Sequence, residues 1–170
     1  MPAHIQYIVK PLGRENRAAF NCGNSDLDRY FHERASRDMR EKLSAVFILV
    51  DQAEPDVILG YYTLSAQQID AGELPDDLRK RTGRYRQLGA TLLGRLAVAK
   101  GHQGKGLAAF LLVDALRRSW EVTSSVMSFA VVVDAKNEDL VKFYEKFGFT
   151  RLSGRRLMLS MNTIERNFSS

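Results

Sequence analysis

The residues best suited to chemistry form a glycine-rich segment between an apolar stretch and a helical pattern: Gln103, Gly104, Lys105, Gly106, Leu107 and Ala108. The first turn of a helix offers unpaired backbone N–H groups and the positive end of the helix dipole, and glycines let the backbone approach phosphate oxygens closely. Lys105 adds a mobile positive charge. The segment is therefore suited to binding a pyrophosphate group, although a Gly-x-Gly pair alone also occurs in ordinary tight turns.

Three phosphate-binding patterns compete for this segment. Residues 104–109 formally match the dinucleotide fingerprint G-x-G-x-x-A, which requires an acid about 20 residues later at the end of the next strand. Glu121 lies near that distance but follows a helical pattern, and the next strand ends later, at Asp134. A Walker-type loop is excluded, because no Gly-Lys-Ser/Thr sequence is present. The third pattern, Gln/Arg-x-x-Gly-x-Gly/Ala, is matched by Gln103, Gly106 and Ala108.

A second cluster combines a helix cap with an aromatic stripe. Asn137 suits the cap, and Leu140, Phe143, Tyr144 and Phe147 recur at spacings of three and four residues on one helix face. Such a stripe usually packs in a core. A tyrosine hydroxyl can also supply a proton to a thiolate leaving group, since the ordinary pKa is about 10 for the phenol and about 8.5 for the thiol.

Together, these two clusters resemble the GNAT acetyltransferase superfamily. The resemblance implies that acetyl-CoA is the cofactor, that the loop amides bind its pyrophosphate, and that the strand before the loop pairs with its pantetheine arm. It also implies that the hydroxyl of Tyr144 points at the thioester sulfur and acts as the general acid. The implied cofactor contacts are Leu96, Ala97, Val98, Gln103, Gly104, Lys105, Gly106, Leu107, Ala108, Asn137 and Phe143.

No general base accompanies this acid, because residues 91–98 include no carboxylate. A lysine amine, with an ordinary pKa of about 10.4, needs a base, whereas an α-amine has an ordinary pKa of about 7.7–8.0 that falls further beside an ester. The absence of a base in this strand therefore favours an α-amine nucleophile, with water or His102 relaying its proton.

The N-terminal part resembles one branch of the superfamily, the tRNA-acetylating toxins of bacterial toxin–antitoxin modules. The resemblance is carried by residues 20–31, which include Phe20, Cys22 and Gly23, and it continues through residues 59–65, 93–98 and 132–135. It implies that Cys22 is a structural landmark, and that the chain acetylates the α-amine of aminoacyl-tRNA and so blocks translation. It further implies a homodimer that is neutralised by a ribbon-helix-helix antitoxin.

The net charge of +5 is concentrated in one segment. Residues 79–86 contain five basic residues and no acid, so the rest of the chain is balanced. This concentration favours one anionic partner at one place, and the phosphates of tRNA fit that description, although a merely solvated basic loop has the same composition. The candidate tRNA contacts are Arg79, Lys80, Arg81, Arg84, Arg86 and, on the cofactor strand, Arg95.

Hydrophobic periodicity predicts the elements that must position these clusters. Strands are predicted at residues 4–9, 45–50, 57–66, 90–99, 127–134, 149–152 and 156–161, and helices at residues 24–42, 75–81, 107–120 and 137–147. We therefore expect an α/β (α+β) architecture, the GNAT acyltransferase fold, with a mixed central sheet of about six to seven strands and flanking helices. One domain is expected to span residues 1–170.

Composition excludes several classes of protein. With 45% hydrophobic and 26% charged residues the chain can bury a core, so it is neither disordered nor fibrous. Its apolar runs are far shorter than the roughly 20 residues that a membrane span needs. The lone Cys22 and the absence of a signal-like N-terminus predict the cytoplasm, and the few cysteines and histidines show no metal-ligand spacing.

Two other functions stay open from the sequence. One is a GNAT acetyltransferase for a small-molecule amine or a protein N-terminus, which would work without RNA. The other is a nucleotide-binding or RNA-binding module without catalysis.

Overall fold

The computed structural model describes residues 4–169, and these residues form seven strands and six α-helices. The strands are β1 (Tyr7–Pro11), β2 (Ala45–Asp51), β3 (Glu54–Asp70), β4 (Gln87–Val98), β5 (Ala130–Asp134), β6 (Thr150–Ser153) and β7 (Arg156–Ser160). The helices are α1 (Ser25–Glu33), α2 (Ala35–Arg40), α3 (Asp76–Thr82), α4 (Leu107–Glu121), α5 (Glu138–Lys146) and α6 (Met161–Phe168). Short 3₁₀ turns lie at Arg17–Ala19, Ala71–Glu73, Lys100–His102 and Val122–Ser124.

The sheet is mixed, and its strand order is β1-β2-β3-β4-β5-β7-β6. Strands β1, β2 and β3 pair antiparallel, β4 and β5 pair in parallel at Thr91 and Leu92, and β7 lies antiparallel between β5 and β6. The expected mixed sheet is therefore confirmed. The doubly wound parallel sheet that the dinucleotide fingerprint requires is absent from the described residues, so that alternative is excluded.

The chain divides into two compact units, and strands β3 and β4 each contribute to both. Unit 1 contains the described residues up to Ser65 together with Gly94–Ala115. In its core, the rings of Phe31 and Tyr61 stack with their centroids 4.3 Å apart, and Phe20 meets both rings edge-on. These aromatic side chains anchor α1 on the sheet residues of the same unit.

Unit 2 contains Ala66–Leu93 and residues 116–169. Its core combines Ile69, Leu74, Ala90 and Met158 with the buried strand β5. The first four residues of β5 are at most 1% exposed, which confirms the predicted strand that is buried on both faces.

Several predicted boundaries were wrong. The helix predicted at residues 24–42 breaks at Arg34, whose φ of −120° separates α1 from α2. The first strand runs from Tyr7 to Pro11 because its register with β2 pairs those residues. Strand β5 begins at Ala130, since Met127 is 82% exposed.

The C-terminal helix α6 was not predicted. Met161 begins this helix and does not end β7, because the Ser160 hydroxyl caps it and accepts a hydrogen bond from the backbone N–H of Thr163 at 3.2 Å. The buried Met161 and Ile164, three residues apart, form the helical signal that marks it. Within residues 4–169 every helix is too short or too polar to cross a bilayer.

Candidate active site

The glycine-rich segment forms a loop that leads into the 15-residue helix α4. Gly104 and Gly106 both have a φ of +79°, and a Cβ at either position meets no atom within 4 Å. Conformation, and not lack of space, therefore requires glycine at both positions. Among residues 4–169 no acceptor takes a hydrogen bond from the backbone N–H groups of Gly106, which precedes α4, or of Leu107, Ala108 and Ala109, which begin it. The loop thus presents free donors at the positive end of a helix dipole.

Gln103 fixes this loop from within the protein. Its Nε2 atom donates hydrogen bonds to the backbone carbonyls of Cys22 at 2.8 Å and Val98 at 3.1 Å. A backbone bond from Lys100 to the carbonyl of Asn21, at 2.8 Å, ties the same two segments together. The side chain of Gln103 therefore positions the loop, and the segment around Cys22 supports it. The sequence motif identified Gln103 but not this role.

Cys22 is buried and engaged in local structure. Its backbone N–H donates to Asp28 Oδ1 at 2.9 Å, and its Sγ atom donates to the carbonyl of Asn24 at 3.7 Å. Burial raises the pKa of the Cys22 thiol, so the sulfur stays protonated. These contacts suit a structural residue and not a nucleophile.

Tyr144 lies in α5 with 8% of its surface exposed, against the rings of Phe143 and Phe149 at centroid distances of 5.2 and 5.4 Å. Burial alone raises the pKa of Tyr144 to about 12. Its hydroxyl has no hydrogen-bond partner among residues 4–169, and no fully enclosed side-chain oxygen or nitrogen in that range lacks a partner. The hydroxyl oxygen must therefore reach solvent.

The other buried tyrosines use their hydroxyls structurally. Tyr30 donates to Asp38 Oδ2 at 2.9 Å, Tyr61 to the carbonyl of Leu27 at 2.7 Å, and Tyr62 to an Asp114 carboxylate oxygen at 2.6 Å. A buried phenol whose hydroxyl is left for a ligand is unusual, because burial normally brings a partner for each polar group. This difference singles out Tyr144 as the tyrosine available for chemistry.

The other predicted cofactor residues belong to β4, the strand before the glycine loop, and to the segment of α5 that carries Tyr144. The Asn137 side chain caps α5 by accepting from the backbone N–H of Leu140 at 2.9 Å, and Phe143 is half-buried against Phe147. In β4, Ala97 and Val98 are both buried and Ala97 packs in the core of unit 1, whereas Leu96 is half-buried. Unit 1 thus contains Leu96–Val98 and the glycine loop, and unit 2 contains Asn137, Phe143 and Tyr144.

Gly60 allows the strand before the loop to lie close to β3. A Cβ at Gly60 would come within 2.8 Å of the Ala97 carbonyl oxygen and 2.9 Å of a Leu111 methyl group. The sequence offered no signal for this requirement, since only the packing of β3 against β4 and α4 creates it.

Arg95 is held on an aromatic ring. Its guanidinium carbon lies 3.4 Å from the centroid of the Tyr30 ring, a cation–π geometry, and the Tyr30 hydroxyl is itself fixed by Asp38. Arg95 is half-buried in β4. The candidate substrate arginine is thus pre-positioned within unit 1.

The basic residues of segment 79–86 differ in their surroundings. Arg79 is engaged, because its Nη2 atom donates to the carbonyls of Gly72 at 3.3 Å and Leu74 at 3.2 Å and lies 3.7 Å from Asp76 Oδ1. The remaining members are exposed, and no described side chain forms an ion pair with them: Lys80 and Arg81 in α3, and Arg84 and Arg86 beyond it.

Known proteins resemble this chain in both sequence and fold. Residues 80–158 match the acetyltransferase (GNAT) domain family, and the seven-stranded topology is that of solved GNAT structures. The chain carries a GNAT acetyltransferase domain. The acetyltransferase is 28% identical over 131 residues to a tRNA-acetylating toxin of Mycobacterium tuberculosis, a match that covers 77% of this chain and 76% of that toxin.

Two solved structures resemble this GNAT acetyltransferase over nearly its whole length. One is AtaT complexed with acetyl-methionyl-tRNAfMet, with a TM-score of 0.89, 27% identity, and coverage of 96% of this chain and 99% of AtaT. The other is a tyrosine-to-phenylalanine mutant of AtaT bound to the C-terminus of the antitoxin AtaR and to acetyl-CoA, with a TM-score of 0.82, 25% identity, and coverage of 96% and 99%.

Proposed function

We propose that this acetyltransferase moves the acetyl group of acetyl-CoA to the α-amine of an aminoacyl-tRNA and so blocks translation, as the toxin of a toxin–antitoxin pair. The observation that carries the proposal is the solvent-reaching hydroxyl of Tyr144, on a fold that AtaT presents in complex with acetyl-methionyl-tRNAfMet. The nitrogen lone pair of an acetylated α-amine is delocalised into the acetyl carbonyl, so the nitrogen is no longer nucleophilic and peptide-bond formation stops.

The glycine loop fits the pyrophosphate of acetyl-CoA. The free backbone N–H groups of Gly106, Leu107 and Ala108 lie at the positive end of the α4 dipole, and Lys105 adds a positive charge. Gln103 fixes the loop, so the donors are arranged before binding. We assign the pantetheine arm to the backbone of Leu96, Ala97 and Val98, and the acyl end to Asn137 and Phe143.

Tyr144 acts on the leaving group. Acetyl-CoA supplies an activated acetyl thioester when bound. As the amine nitrogen bonds to the carbonyl carbon and the C–S bond breaks, the Tyr144 hydroxyl donates a hydrogen bond to the sulfur. Because burial raises the pKa of Tyr144 to about 12, the hydroxyl stabilises the developing thiolate mainly as a charge-assisted hydrogen-bond donor.

The nucleophile needs no strong base. An α-amine has an ordinary pKa of about 7.7–8.0, so a large fraction is neutral at physiological pH, and the ester of aminoacyl-tRNA lowers that pKa further. Its proton leaves through water, with the half-exposed His102 beside Lys105 as a further acceptor. No residue of β4 carries a carboxylate that could take this proton.

The decisive experiment supplies labelled acetyl-CoA and a set of charged tRNAs. N-acetylaminoacyl-tRNA is the expected product. Turnover of polyamines or peptide N-termini, with no transfer to any charged tRNA, would instead establish the small-amine or N-terminal acetyltransferase.

We also assign this toxin a homodimeric state and a ribbon-helix-helix antitoxin, acting in the cytoplasm, where charged tRNA is used. The antitoxin assignment is supported by the structure of AtaT bound to the C-terminus of AtaR. Light scattering of the purified chain, and rescue of growth by the protein encoded next to it, test these assignments.

A further inference from the structure

A cavity of about 640 Å³ lies beside the free arginines of unit 2. Its lining includes Asp70, Arg79, Arg84, Tyr85 and Arg86. A volume in the range of roughly 300–1,000 Å³ is typical of small-ligand sites, and one nucleotide is a ligand of that size.

The walls of this cavity are held by the backbone and by Arg79. The N–H of Ala71 donates to the carbonyl of Arg86 at 2.8 Å, and Arg79 bonds the carbonyls of Gly72 and Leu74. Arg79 therefore maintains the shape of the cavity. Arg84 and Arg86, for which no described side chain is an ion-pair partner, are left to meet a ligand.

Tyr85 stands between these two arginines in the sequence and is 72% exposed. Within residues 4–169 its ring has no aromatic or cationic partner, and its hydroxyl has no hydrogen-bond partner. An exposed aromatic side chain flanked by cations is the arrangement that proteins use to stack an unpaired base and hold its phosphates.

Asp70 indicates the kind of anion. Its Oδ1 atom accepts from the backbone N–H of Gly72 at 3.0 Å, which leaves the other carboxylate oxygen free to accept from a ligand. A carboxylate repels the side chains of an acidic peptide, which are anionic and can only accept hydrogen bonds. A nucleotide brings a ribose hydroxyl and, on most bases, an amino group, so it can satisfy Asp70 and the arginines together.

We propose that this cavity binds an unpaired nucleotide of the tRNA substrate, with the base stacked on Tyr85 and the phosphates held by Arg84 and Arg86. The inference rests on the proposed function and adds the subsite through which the RNA is recognised. Tyr85 is thereby a substrate-binding residue that the basic pattern of the sequence did not reveal.

The test measures affinity for uncharged tRNA without acetyl-CoA. Tyr85→Ala should weaken binding on the order of tenfold, and Tyr85→Phe, which keeps the ring, should bind like the wild type. Arg84→Gln and Arg86→Gln should each lower the slope of log affinity against log salt by about 0.7–0.9. Arg40→Gln, an exposed charge on α2, is the matched control and should leave that slope unchanged.

The outcomes separate this inference from the proposed function. If the wild type acetylates charged tRNA but Tyr85→Ala binds tRNA as tightly as the wild type, the subsite is wrong and the function stands. If Tyr85→Ala loses affinity while the wild type acetylates no charged tRNA, the subsite stands and the function is wrong. Unchanged tRNA affinity with weakened binding to a polyglutamate peptide would assign the cavity to an acidic protein segment and overturn the inference.

Discussion

Tyr144 differs from the other buried tyrosines because its hydroxyl has no hydrogen-bond partner among the described residues. Removing that hydroxyl alone tests whether it takes part in the reaction. Tyr144→Phe keeps the packing against Phe143 and Phe149 but removes the hydroxyl that we propose as the donor to the leaving sulfur. We expect kcat to fall by about 10²-fold or more, because general-acid and oxyanion-type donors contribute on that scale. The KM for acetyl-CoA should stay near its original value.

A matched variant separates chemistry from packing. Tyr61→Phe removes a buried hydroxyl that donates to the Leu27 carbonyl, so it should lower the free energy of unfolding by about 1 kcal/mol and leave kcat unchanged. Steady-state kinetics and denaturant unfolding of both variants provide the measurement. Equal kcat in the wild type and Tyr144→Phe would remove Tyr144 from the mechanism.

The pH dependence of the reaction follows from the burial of Tyr144. Its pKa is raised to about 12, whereas an exposed tyrosine has a pKa of about 10, so the hydroxyl keeps its proton throughout the range in which the α-amine titrates. The rate with aminoacyl-tRNA should therefore rise as the α-amine deprotonates, below about pH 8, and then stay level to about pH 10. A pH–rate profile corrected for ester hydrolysis checks this. A descending limb near pH 9 that Tyr144→Phe lacks would contradict it.

At the residue scale, the sequence predicts which side chains form the site, and the structure adds contacts of these side chains that the sequence could not show. The helical spacing around Tyr144 predicted its face, yet only the structure shows that its hydroxyl alone among the buried tyrosines has no described partner. The basic segment was predicted as one patch, and the structure instead engages Arg79 with Gly72, Leu74 and Asp76. Such pairings depend on backbone carbonyls that no residue pattern reports.

Among the elements, the glycine loop offers a test of backbone geometry. Gly106→Ala forces a side chain onto a φ of +79°, a strained conformation for an L-residue, and should shift the donors that open α4. The KM for acetyl-CoA should rise about tenfold, the loss expected for one misplaced charge-assisted hydrogen bond, while kcat at saturation changes little.

Gly154 is the matched control for this loop variant. It also has a positive φ, of +55°, and open space around it, but it lies in the turn between β6 and β7. Gly154→Ala should cost comparable stability in thermal unfolding and leave the KM for acetyl-CoA unchanged. If the KM rises equally in both variants, the effect reports general destabilisation and not phosphate binding.

Elements with strong periodicity were predicted well, and elements set by tertiary contacts were not. Helix α4, helix α5 and the buried strand β5 each carry a long, consistent pattern, and each formed as predicted within a few residues. The break at Arg34 lies inside a hydrophobic pattern that predicts one continuous helix. Tertiary contacts hold the two helices on either side of it, since Ala35 is fully buried and the Tyr30 hydroxyl in α1 donates to Asp38 in α2. Local periodicity has no means of encoding that change of direction.

At the scale of the whole molecule, part of the positive charge is paired with carboxylates of the same chain. Arg156 forms two hydrogen bonds with the Asp134 carboxylate, at 2.8 and 3.0 Å, and Arg151 and Arg155 both contact Glu138. Apart from Arg79, the cations of segment 79–86 have no ion-pair partner among the described side chains and are therefore left for a partner molecule. This distribution predicts that RNA enters through one surface and that binding depends on ionic strength.

Salt dependence separates binding of RNA from the chemistry on the amine. Raising the salt from about 50 to 200 mM should lower kcat/KM for charged tRNA steeply, because each phosphate contact releases counterions. An amino-acid methyl ester carries the same activated α-amine without phosphates, so its rate should change little over that range. Exchanging Lys80 and Arg81 for glutamine should weaken the salt dependence of kcat/KM for charged tRNA and leave that for the methyl ester unchanged. If both substrates respond equally to salt, the positive charge of segment 79–86 serves something other than RNA, such as the dimer or the antitoxin.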